Sequence, residues 1–197
     1  DAPLREIPAK VSVSAVTHAA RQVALERPAF LQKSGMTGAE RGTAIHAFLQ
    51  SVPFDRDLDL KAEVNRQIAL RLLDPDLAAQ LRLEDLRPFF EGAVWRRVRQ
   101  AKRVLREEPF ITALPAAEVT PDLAHGAAGE AEVLVQGIAD LVLVFADHAE
   151  ILDYKTDRAR DPDFYIQAYA GQLRLYRRAF ALRLTVPVTR LTLYSFT

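Results

Sequence analysis

Residues 132–145, EVLVQGIADLVLVF, followed at 150–156 by EILDYKT, decide the fold of this chain. The first stretch is rich in Val, Leu and Ile on both faces, as is typical of a central strand covered on two sides. A short turn within ADHA at 146–149 returns the chain into the second stretch, so the two stretches together predict a β-hairpin. Gly137 is expected to mark a bend or bulge in the first strand.

Asp140, Asp153 and Lys155 are charged residues set in the apolar part of this hairpin. Asp153 and Lys155 are separated by one residue, so their side chains point to one face of the strand while Tyr154 points to the other. For a turn of two to four residues, Asp140 lies across from the segment 153–155, where directly opposed Cβ atoms are about 5 Å apart. Two carboxylates that close, away from bulk water, repel each other unless a cation lies between them. We therefore expect Asp140 and Asp153 to bind a divalent ion, and oxygen ligands of this kind suit magnesium or manganese.

The spacing of an Asp, any residue and a Lys is also a weak pattern, and it occurs a second time at Asp59 and Lys61. A solvated ion pair is the ordinary interpretation of such a spacing. The second copy falls at the start of a predicted helix, with no apolar strand and no partner acid around it. The hairpin and the opposed Asp140 distinguish the copy at 153 and 155 from it.

The remaining segments predict helices packed on a mixed sheet. Residues 11–16, VSVSAV, alternate like a short strand or lead into a helix. Helices are expected from Gly42 to Pro53, over 60–73, from Pro88 to about Leu105, and over 161–184. A further strand is expected at 188–196, which makes the last helix a crossover between two strands of one sheet.

Two helix faces are open to more than one interpretation. The helix predicted from Pro88 carries a basic face that either contacts DNA phosphates or is simply solvated. Its members are Arg96, Arg97, Arg99, Lys102, Arg103 and Arg106. On the last helix, an aromatic and polar face either supports a site or is core packing with a polar rim. Its members are Tyr165, Tyr169, Gln172 and Tyr176, at intervals of four, three and four residues.

Composition limits the class of protein. With 197 residues, 49% of them hydrophobic, the chain is expected to form a single domain with one substantial core. Lys plus Arg and Asp plus Glu number 26 each, so the net charge gives no general attraction to nucleic acid or to an anionic membrane. The lack of cysteine excludes disulfides, thiolate zinc sites and iron–sulfur clusters, and fits a cytoplasmic protein. No apolar stretch approaches the roughly 18–20 residues that span a bilayer, so no membrane partner is expected.

Five separated motifs resemble the nuclease domains of RecB and AddA proteins, a branch of the PD-(D/E)XK nuclease superfamily. The motifs are GTAIH at 42–46, REEPF at 106–110, GIADLV at 137–142, ILDYKTD at 151–157 and QLRLY at 172–176. The resemblance extends over about residues 11–196 and is greatest to the C-terminal nuclease domain of AddA helicase-nuclease subunits. It implies an α/β fold in which helices flank a central mixed sheet, a restriction-endonuclease-like core. An additional helical N-terminal part would occupy 1–105, and the sheet-containing catalytic core 106–197.

The resemblance implies a set of metal ligands. His46, Asp140 and Asp153 would bind the ion together with the backbone carbonyl of Tyr154. On its own, a histidine in an apolar helix is ordinarily a packed, hydrogen-bonded residue, so this role for His46 comes from the resemblance. Mg²⁺ is the expected ion, and because imidazole suits manganese better than magnesium, Mn²⁺ is a plausible substitute.

The resemblance also implies roles around the ion. Lys155 would be the catalytic lysine, acting with Asp140 and Asp153. Gln172 and Tyr176 match a motif that supports the site or binds the DNA strand. Glu107 matches a glutamate of the family in a similar supporting role.

The implied function is a metal-dependent DNA exonuclease domain that hydrolyses phosphodiester bonds. Because the first residue is Asp rather than Met, the chain is expected to be a piece of a larger protein. The parent would be a helicase-nuclease that processes double-strand breaks for recombinational repair. Its expected partners are single strands or unwound ends of DNA, the parent helicase domain and an AddB-like subunit.

Two alternatives stay open from the sequence. One is a non-catalytic, nuclease-like module that binds DNA or a partner protein. The other is a free-standing nuclease that acts on another nucleic acid, such as RNA or flaps. This chain has no phosphate-binding loop of the form GxxxxGK(S/T), so it cannot supply an ATPase itself. Its zero net charge suggests that neighbouring domains and a partner subunit deliver the strand, so weak nuclease activity in isolation is expected.

Overall fold

A computed structural model describes residues 9–15, 38–119, 130–156 and 162–196. Its centre is a five-stranded mixed sheet. The strands are β1 (Lys10–Ser12), β2 (Arg103–Pro115), β3 (Glu132–Val144), β4 (Ala149–Lys155) and β5 (Val188–Ser195). The helices are α1 (Gly38–Ser51), α2 (Leu60–Ala69), α3 (Pro75–Ala78), α4 (Leu83–Glu91), α5 (Ala93–Gln100), α6 (Ala116–Val119) and α7 (Pro162–Ala181). The first part of the chain thus contributes β1 to the sheet as well as helices, and position 161 lies outside the described residues.

The predicted hairpin of β3 and β4 is confirmed. Leu141 pairs with Leu152 in an antiparallel register, and this pairing ends one residue after Asp140 in β3 and one residue before Asp153 in β4. β4 pairs with β5 in parallel, so α7 is the crossover helix that the sequence predicts. None of the helices in the described part of the chain is long and apolar enough to cross a membrane.

Helices cover the two faces of the sheet in separate layers. The α7 layer is the core in which α7 packs on one face of the sheet. Its buried members include Phe110, Val135, Ile151 and Phe180. The α1 layer is the core in which α1, α4 and α5 pack on the other face. Its buried members include Phe48, Phe89, Trp95, Leu143 and Leu152.

Strand β3 changes its neighbour partway along its length. β2 pairs with it almost throughout. Next to β3, β1 pairs with residues 134–136 and β4 with residues 141–144. Residues 137–140 pair with neither of these two strands, and we call this gap the fork. Side chains supply hydrogen bonds there: the Tyr176 hydroxyl donates to the Ile138 carbonyl at 2.8 Å, and the Tyr154 N–H donates to Asp140 Oδ2 at 2.6 Å.

The single long helix predicted from Pro88 to about Leu105 is wrong. Pro88 lies inside α4, which ends at Gly92, where the backbone is extended with φ −85° and ψ 176°. A second helix, α5, follows, and β2 has already begun at Arg103. Pairing of β2 with the buried strand β3 overrides the local helical pattern, because strand preference depends on the sheet around it.

Two arginines of the predicted basic face form contacts within the domain. Arg97 Nε donates to the buried carboxylate of Glu150 at 2.8 Å. The Arg106 guanidinium lies 3.9 Å from the centre of the Phe54 ring and donates to the Gln50 carbonyl at 2.8 Å. Because α5 and β2 divide the sequence run between them, these arginines do not lie along one helix.

Of the bend or bulge expected at Gly137, the bulge is absent. The pairing of β2 and β3 runs without a shift through Gly137, which lies opposite Phe110. A Cβ atom at position 137 would lie 2.8 Å from Phe110 Cζ and 3.1 Å from Val13 Cγ2. Glycine is therefore required here by close packing of an aromatic ring over the strand.

Candidate active site

Strand β2 turns two consecutive side chains to the same face at the fork. Leu105 packs against the α7 layer, whereas Arg106 contacts α1 and the neighbouring Glu107 reaches His46 of α1. Glu107 has a left-handed backbone, with a φ of 44°. Phe110 then lies in the α7 layer, so alternation has resumed with the opposite parity.

Strand β3 also turns two consecutive side chains to the α1 side, directly opposite the two in β2. Ala139 lies in the α7 layer and Leu141 in the α1 layer, and the side chain of Asp140 between them also reaches His46 on the α1 side. The register of the two strands is unchanged on either side of this point, which places Glu107 opposite Asp140. We call the two facing doublets the paired irregularity. Its consequence is that two carboxylates from neighbouring strands converge on one helix.

His46 completes a cluster of possible metal ligands. Its Nδ1 atom is 3.4 Å from Glu107 Oε1 and 3.7 Å from Asp140 Oδ1. One ligand atom from each of the three residues lies within 4.8 Å of the others. The ring of Tyr154 packs edge-on against the imidazole, with 5.6 Å between ring centres. An imidazole and two carboxylates are a suitable donor set for a divalent ion.

Asp153 and Lys155 share the opposite face, as the alternation along the strand predicts. Lys155 Nζ contacts Asp153 Oδ2 and lies 4.2 Å from the centre of the Tyr169 ring. Gln172 Nε2 is 2.8 Å from Asp153 Oδ1 and 2.7 Å from the Tyr176 hydroxyl oxygen. Asp153 therefore approaches the fork from the α7 layer, whereas Asp140 lies on the α1 side. The expectation that the two acids are directly opposed on one face is wrong, because alternation in β3 breaks at Asp140.

The electrostatic environment of the fork opposes bare negative charge. Burial, and then the charge of Asp153, raise the pKa of Asp140 to about 7. Burial also raises the pKa of Asp153, although the Lys155 ammonium opposes the shift. Burial alone lowers the pKa of His46, but the hydrogen bond with Glu107 and the surrounding carboxylate charges outweigh it, so this pKa is raised. A bound cation would favour the ionised acids, so the residues present fit a divalent ion.

The structure divides the sequence-predicted site residues into two groups. His46, Glu107 and Asp140 form the ligand cluster on the α1 side. Asp153 and Lys155 lie with Gln172 and Tyr176 on the α7 side. Tyr154 joins the groups, because its ring lies beside His46 while its N–H donates to Asp140.

Some features of the site were not predicted. The sequence placed Tyr169 on a helix face shared with Gln172, but it did not predict that the Tyr169 ring lies beneath Lys155. The spacing of three residues between Tyr169 and Gln172 was the signal that could have indicated this contact. The side chain of Tyr165 lies outside the described residues. The second Asp and Lys spacing is structural, since Asp59 caps α2 by accepting the Ala62 N–H at 3.0 Å.

Comparison with known proteins gives a family and a set of longer relatives. Residues 14–196 match the PD-(D/E)XK nuclease superfamily. The relatives are A subunits of ATP-dependent helicase/nucleases. The chain is 35% identical over 207 residues to the one from Desulforamulus reducens, covering 96% of this chain and 16% of that protein. Those from Bacillus licheniformis and Heliobacterium modesticaldum are 34% and 38% identical, over 87% and 82% of this chain and 15% and 12% of theirs.

These matches establish the family, while the relatives are much longer proteins. The chain spans less than one-fifth of the length of the three relatives. It belongs to the PD-(D/E)XK nuclease superfamily, and A subunits of helicase/nucleases are among its relatives.

Proposed function

We propose that this domain hydrolyses phosphodiester bonds of DNA with a divalent ion, Mg²⁺ or Mn²⁺. The observation that carries the proposal is the cluster of His46, Glu107 and Asp140, next to Asp153 and Lys155, in a member of a nuclease superfamily. When bound, the ion would supply Lewis acidity and positive charge at the scissile phosphate.

The proposed ligands come from four elements that meet at the fork: α1, β2, β3 and β4. His46, Asp140 and Asp153 would hold the ion with the backbone carbonyl of Tyr154, and Glu107 joins them because its carboxylate faces the same space. The raised pKa values of Asp140 and Asp153 support this set, since buried carboxylates in that state gain most from a cation.

Lys155 is proposed to act on the phosphate. Its side chain is 14% exposed, which leaves the ammonium within reach of a substrate while its surroundings hold it in place. Those surroundings are the Asp153 carboxylate, the Tyr169 ring and Gln172 Oε1, the last at 3.5 Å. An ammonium held there donates a hydrogen bond to a phosphate oxygen and stabilises the negative charge that grows in the transition state.

Gln172 and Tyr176 are proposed as positioning residues. The Gln172 amide fixes one oxygen of Asp153, and the Tyr176 hydroxyl holds the Ile138 carbonyl two residues before Asp140. Together they connect both acids to the rigid helix α7, which keeps the carboxylates at a constant separation.

We further propose that the domain is the exonuclease part of a helicase-nuclease that processes double-strand breaks for recombination. The names and the greater length of the relatives support this. In this proposal, the DNA arrives as single strands or unwound ends from a helicase part of the same chain. A cytoplasmic location and an AddB-like partner protein belong to the same proposal.

The test is cleavage of linear single-stranded and double-stranded DNA during titration with Mn²⁺ or Mg²⁺. Lys155→Ala is expected to lower kcat by about 100-fold or more, because charge stabilisation at the phosphate is lost. Asp153→Ala is expected to abolish cleavage. Circular dichroism establishes that both variants remain folded.

Lys61→Ala is the matched control, since Lys61 has the same spacing from an Asp but lies on the exposed start of α2. It should cleave like the wild type. Full activity of folded Lys155→Ala protein would contradict the proposal, and so would cleavage by the wild type in excess chelator.

A further inference from the structure

The outer halves of β2 and β3 expose an apolar strip on the face that carries the ligand cluster. The strip consists of Ile111, Leu134 and Ile138, which are 59%, 44% and 51% exposed. The exposed Gln136 lies between Leu134 and Ile138 on the same face and pairs with Ile111. Phe110 and Val135, which neighbour Ile111 and Leu134 in the sequence, are buried in the α7 layer. Alternation along a strand therefore directs the three exposed side chains to the opposite face, which the helices of the described residues leave uncovered here.

The apolar strip begins directly beside the two carboxylates of the paired irregularity. Ile138 precedes Asp140 by two residues, a separation of about 7 Å along a strand. It pairs with Pro109, which follows Glu107 by the same interval and is also exposed. From Ile138 to Leu134 the strip extends away from the acids for about 13 Å. A nucleic acid strand with a phosphate at the acids can therefore lay its adjoining nucleotides along the strip.

The chemistry of the strip matches unpaired nucleotides. Aliphatic side chains contact the flat apolar faces of bases, and these faces are accessible only when the bases are not stacked in a duplex. Lys10 is exposed and lies in register with Leu134 on the adjacent strand β1. Its ammonium gives the strip a cationic edge that complements a phosphate backbone.

We propose that the apolar strip is a base-contacting subsite for unpaired nucleotides that adjoin the scissile phosphate, with Lys10 at its edge for the backbone. This proposal rests on the proposed nuclease function. It predicts a preference for single strands that depends on three aliphatic side chains rather than on the ion or on Lys155. A strand that enters the site from the other direction does not meet the strip, so the preference depends on one side of the scissile bond.

The test compares the wild type with an Ile111→Thr, Leu134→Thr double variant, because Thr preserves strand preference while it removes apolar surface. Single-stranded oligonucleotides carry either ordinary bases or abasic sites on one side of the cleavage position. With ordinary bases, KM is expected to rise about 10-fold in the double variant, with kcat within about twofold. With abasic sites on the strip side, the two proteins should have equal KM values.

Leu182→Thr is the matched control, because Leu182 is 59% exposed and follows α7 on the other side of the sheet. It should leave KM unchanged. An unchanged KM in the double variant, or an equal rise with ordinary and abasic oligonucleotides, would overturn the proposal.

Fluorescence anisotropy without added metal separates this proposal from the nuclease function. If the wild type binds ordinary single strands about 10-fold more tightly than the double variant but never cleaves, the proposed subsite is supported and the proposed nuclease function is wrong. If cleavage is normal and both proteins bind equally, the strip fails alone. A dimer of the wild type that the double variant dissociates, with unchanged DNA binding, would assign the strip to a second copy and overturn the proposal.

Discussion

At the scale of single residues, Asp140 shows most clearly that the site is built at a cost in stability. Its carboxylate is buried at the fork and accepts one backbone hydrogen bond, from Tyr154. Its pKa is about 7 rather than its ordinary 3.8, because burial and the charge of Asp153 disfavour ionisation. In the metal-free protein, the ionised form of this side chain therefore opposes folding.

The Asp140→Asn variant is expected to be more stable than the wild type at pH 8 in chelator, by about 1–3 kcal/mol. Because the pKa of Asp140 is higher in the folded protein than in the unfolded one, the wild type loses stability as the pH rises through about 7. Asn is always neutral and still accepts the Tyr154 N–H. As the pH falls from 7 to 4, the wild-type acid becomes protonated and the advantage of the variant shrinks. Urea unfolding at pH 8 and pH 4 measures the difference.

Asp59→Asn provides the control for this prediction. Asp59 caps α2 on the surface, and Asn caps a helix as well as Asp does. This variant should gain no stability at pH 8. Equal stability of the wild type and Asp140→Asn at pH 8 would mean that ionisation of Asp140 does not lower the stability of the folded protein.

The sequence predicted the hairpin residues better than it predicted Glu107. Alternation alone placed Asp153 and Lys155 on one face, and the predicted hairpin brought Asp140 close to the end of β4, where the Tyr154 N–H donates to it. The shared face of Asp153 and Lys155 follows from ordinary strand geometry. Asp140 instead turns to the α1 side, because alternation breaks in β3. The direction of Glu107 depends on a left-handed φ in the middle of a strand, and no local pattern indicates such a backbone.

At the scale of elements, β2 is the strand whose conformation builds the ligand cluster. Glu107→Asn should leave stability within about 0.5 kcal/mol, because Asn tolerates a left-handed backbone. Glu107→Val should lower it by about 1–3 kcal/mol, because a β-branched residue is strained there. Both variants should bind Mn²⁺ more weakly in calorimetry, since each removes a carboxylate.

Glu108→Val is the neighbouring control for β2. The substitution removes the ion pair between Glu108 and Arg183, in which the Arg183 side chain is 41% exposed. Such a pair contributes about 1 kcal/mol at most. The prediction for β2 fails if Glu107→Val and Glu107→Asn are equally stable.

Gly137 in β3 tests the close packing beside the fork. Gly137→Ala should lower the free energy of unfolding by about 1–3 kcal/mol, because the new methyl group would overlap the Phe110 ring. Adding Phe110→Leu should make the Gly137→Ala change less costly, which a double-mutant cycle by urea unfolding measures. Additive effects of the two changes would show that the ring does not set the requirement for glycine.

The error in predicting one helix from Pro88 has a physical cause at the same scale. Phe90 and Val94 fit a helical stripe, and both are helical residues that pack against the α1 layer. Leu105 continued the apparent stripe, but it belongs to a strand that packs on the other face of the sheet. A periodic pattern cannot show that its last member belongs to another element, because that assignment comes from sheet pairing.

At the scale of the whole molecule, this domain is a small part of proteins such as its relatives, covering 16% or less of the three compared here. Its equal numbers of acidic and basic residues, 26 each, give no general attraction to DNA. We therefore expect the isolated domain to depend on other parts of a parent chain to present DNA.

A parent chain that carries both this domain and a helicase part should have a KM for linear DNA at least about 10-fold lower than the isolated domain, since tethering raises the local concentration of the strand. Steady-state cleavage with ATP, at one concentration of Mn²⁺, compares the two. The parent with Lys155→Ala separates domain-specific cleavage from contaminants. An isolated domain with the same KM as the parent would show that it captures DNA unaided.

The paired irregularity is needed both for the packing of the core and for the position of the two carboxylates, so evolution cannot change one without the other. Restoring ordinary alternation in β2 alone would turn Phe110 and Leu114 outward into water, while β3 kept its own orientation. A lineage that lost the proposed nuclease activity would still have to keep the paired irregularity, and only the side chains at 107 and 140 would be free to change. Degenerate descendants of this domain should therefore retain the backbone of an active centre long after its acids have disappeared.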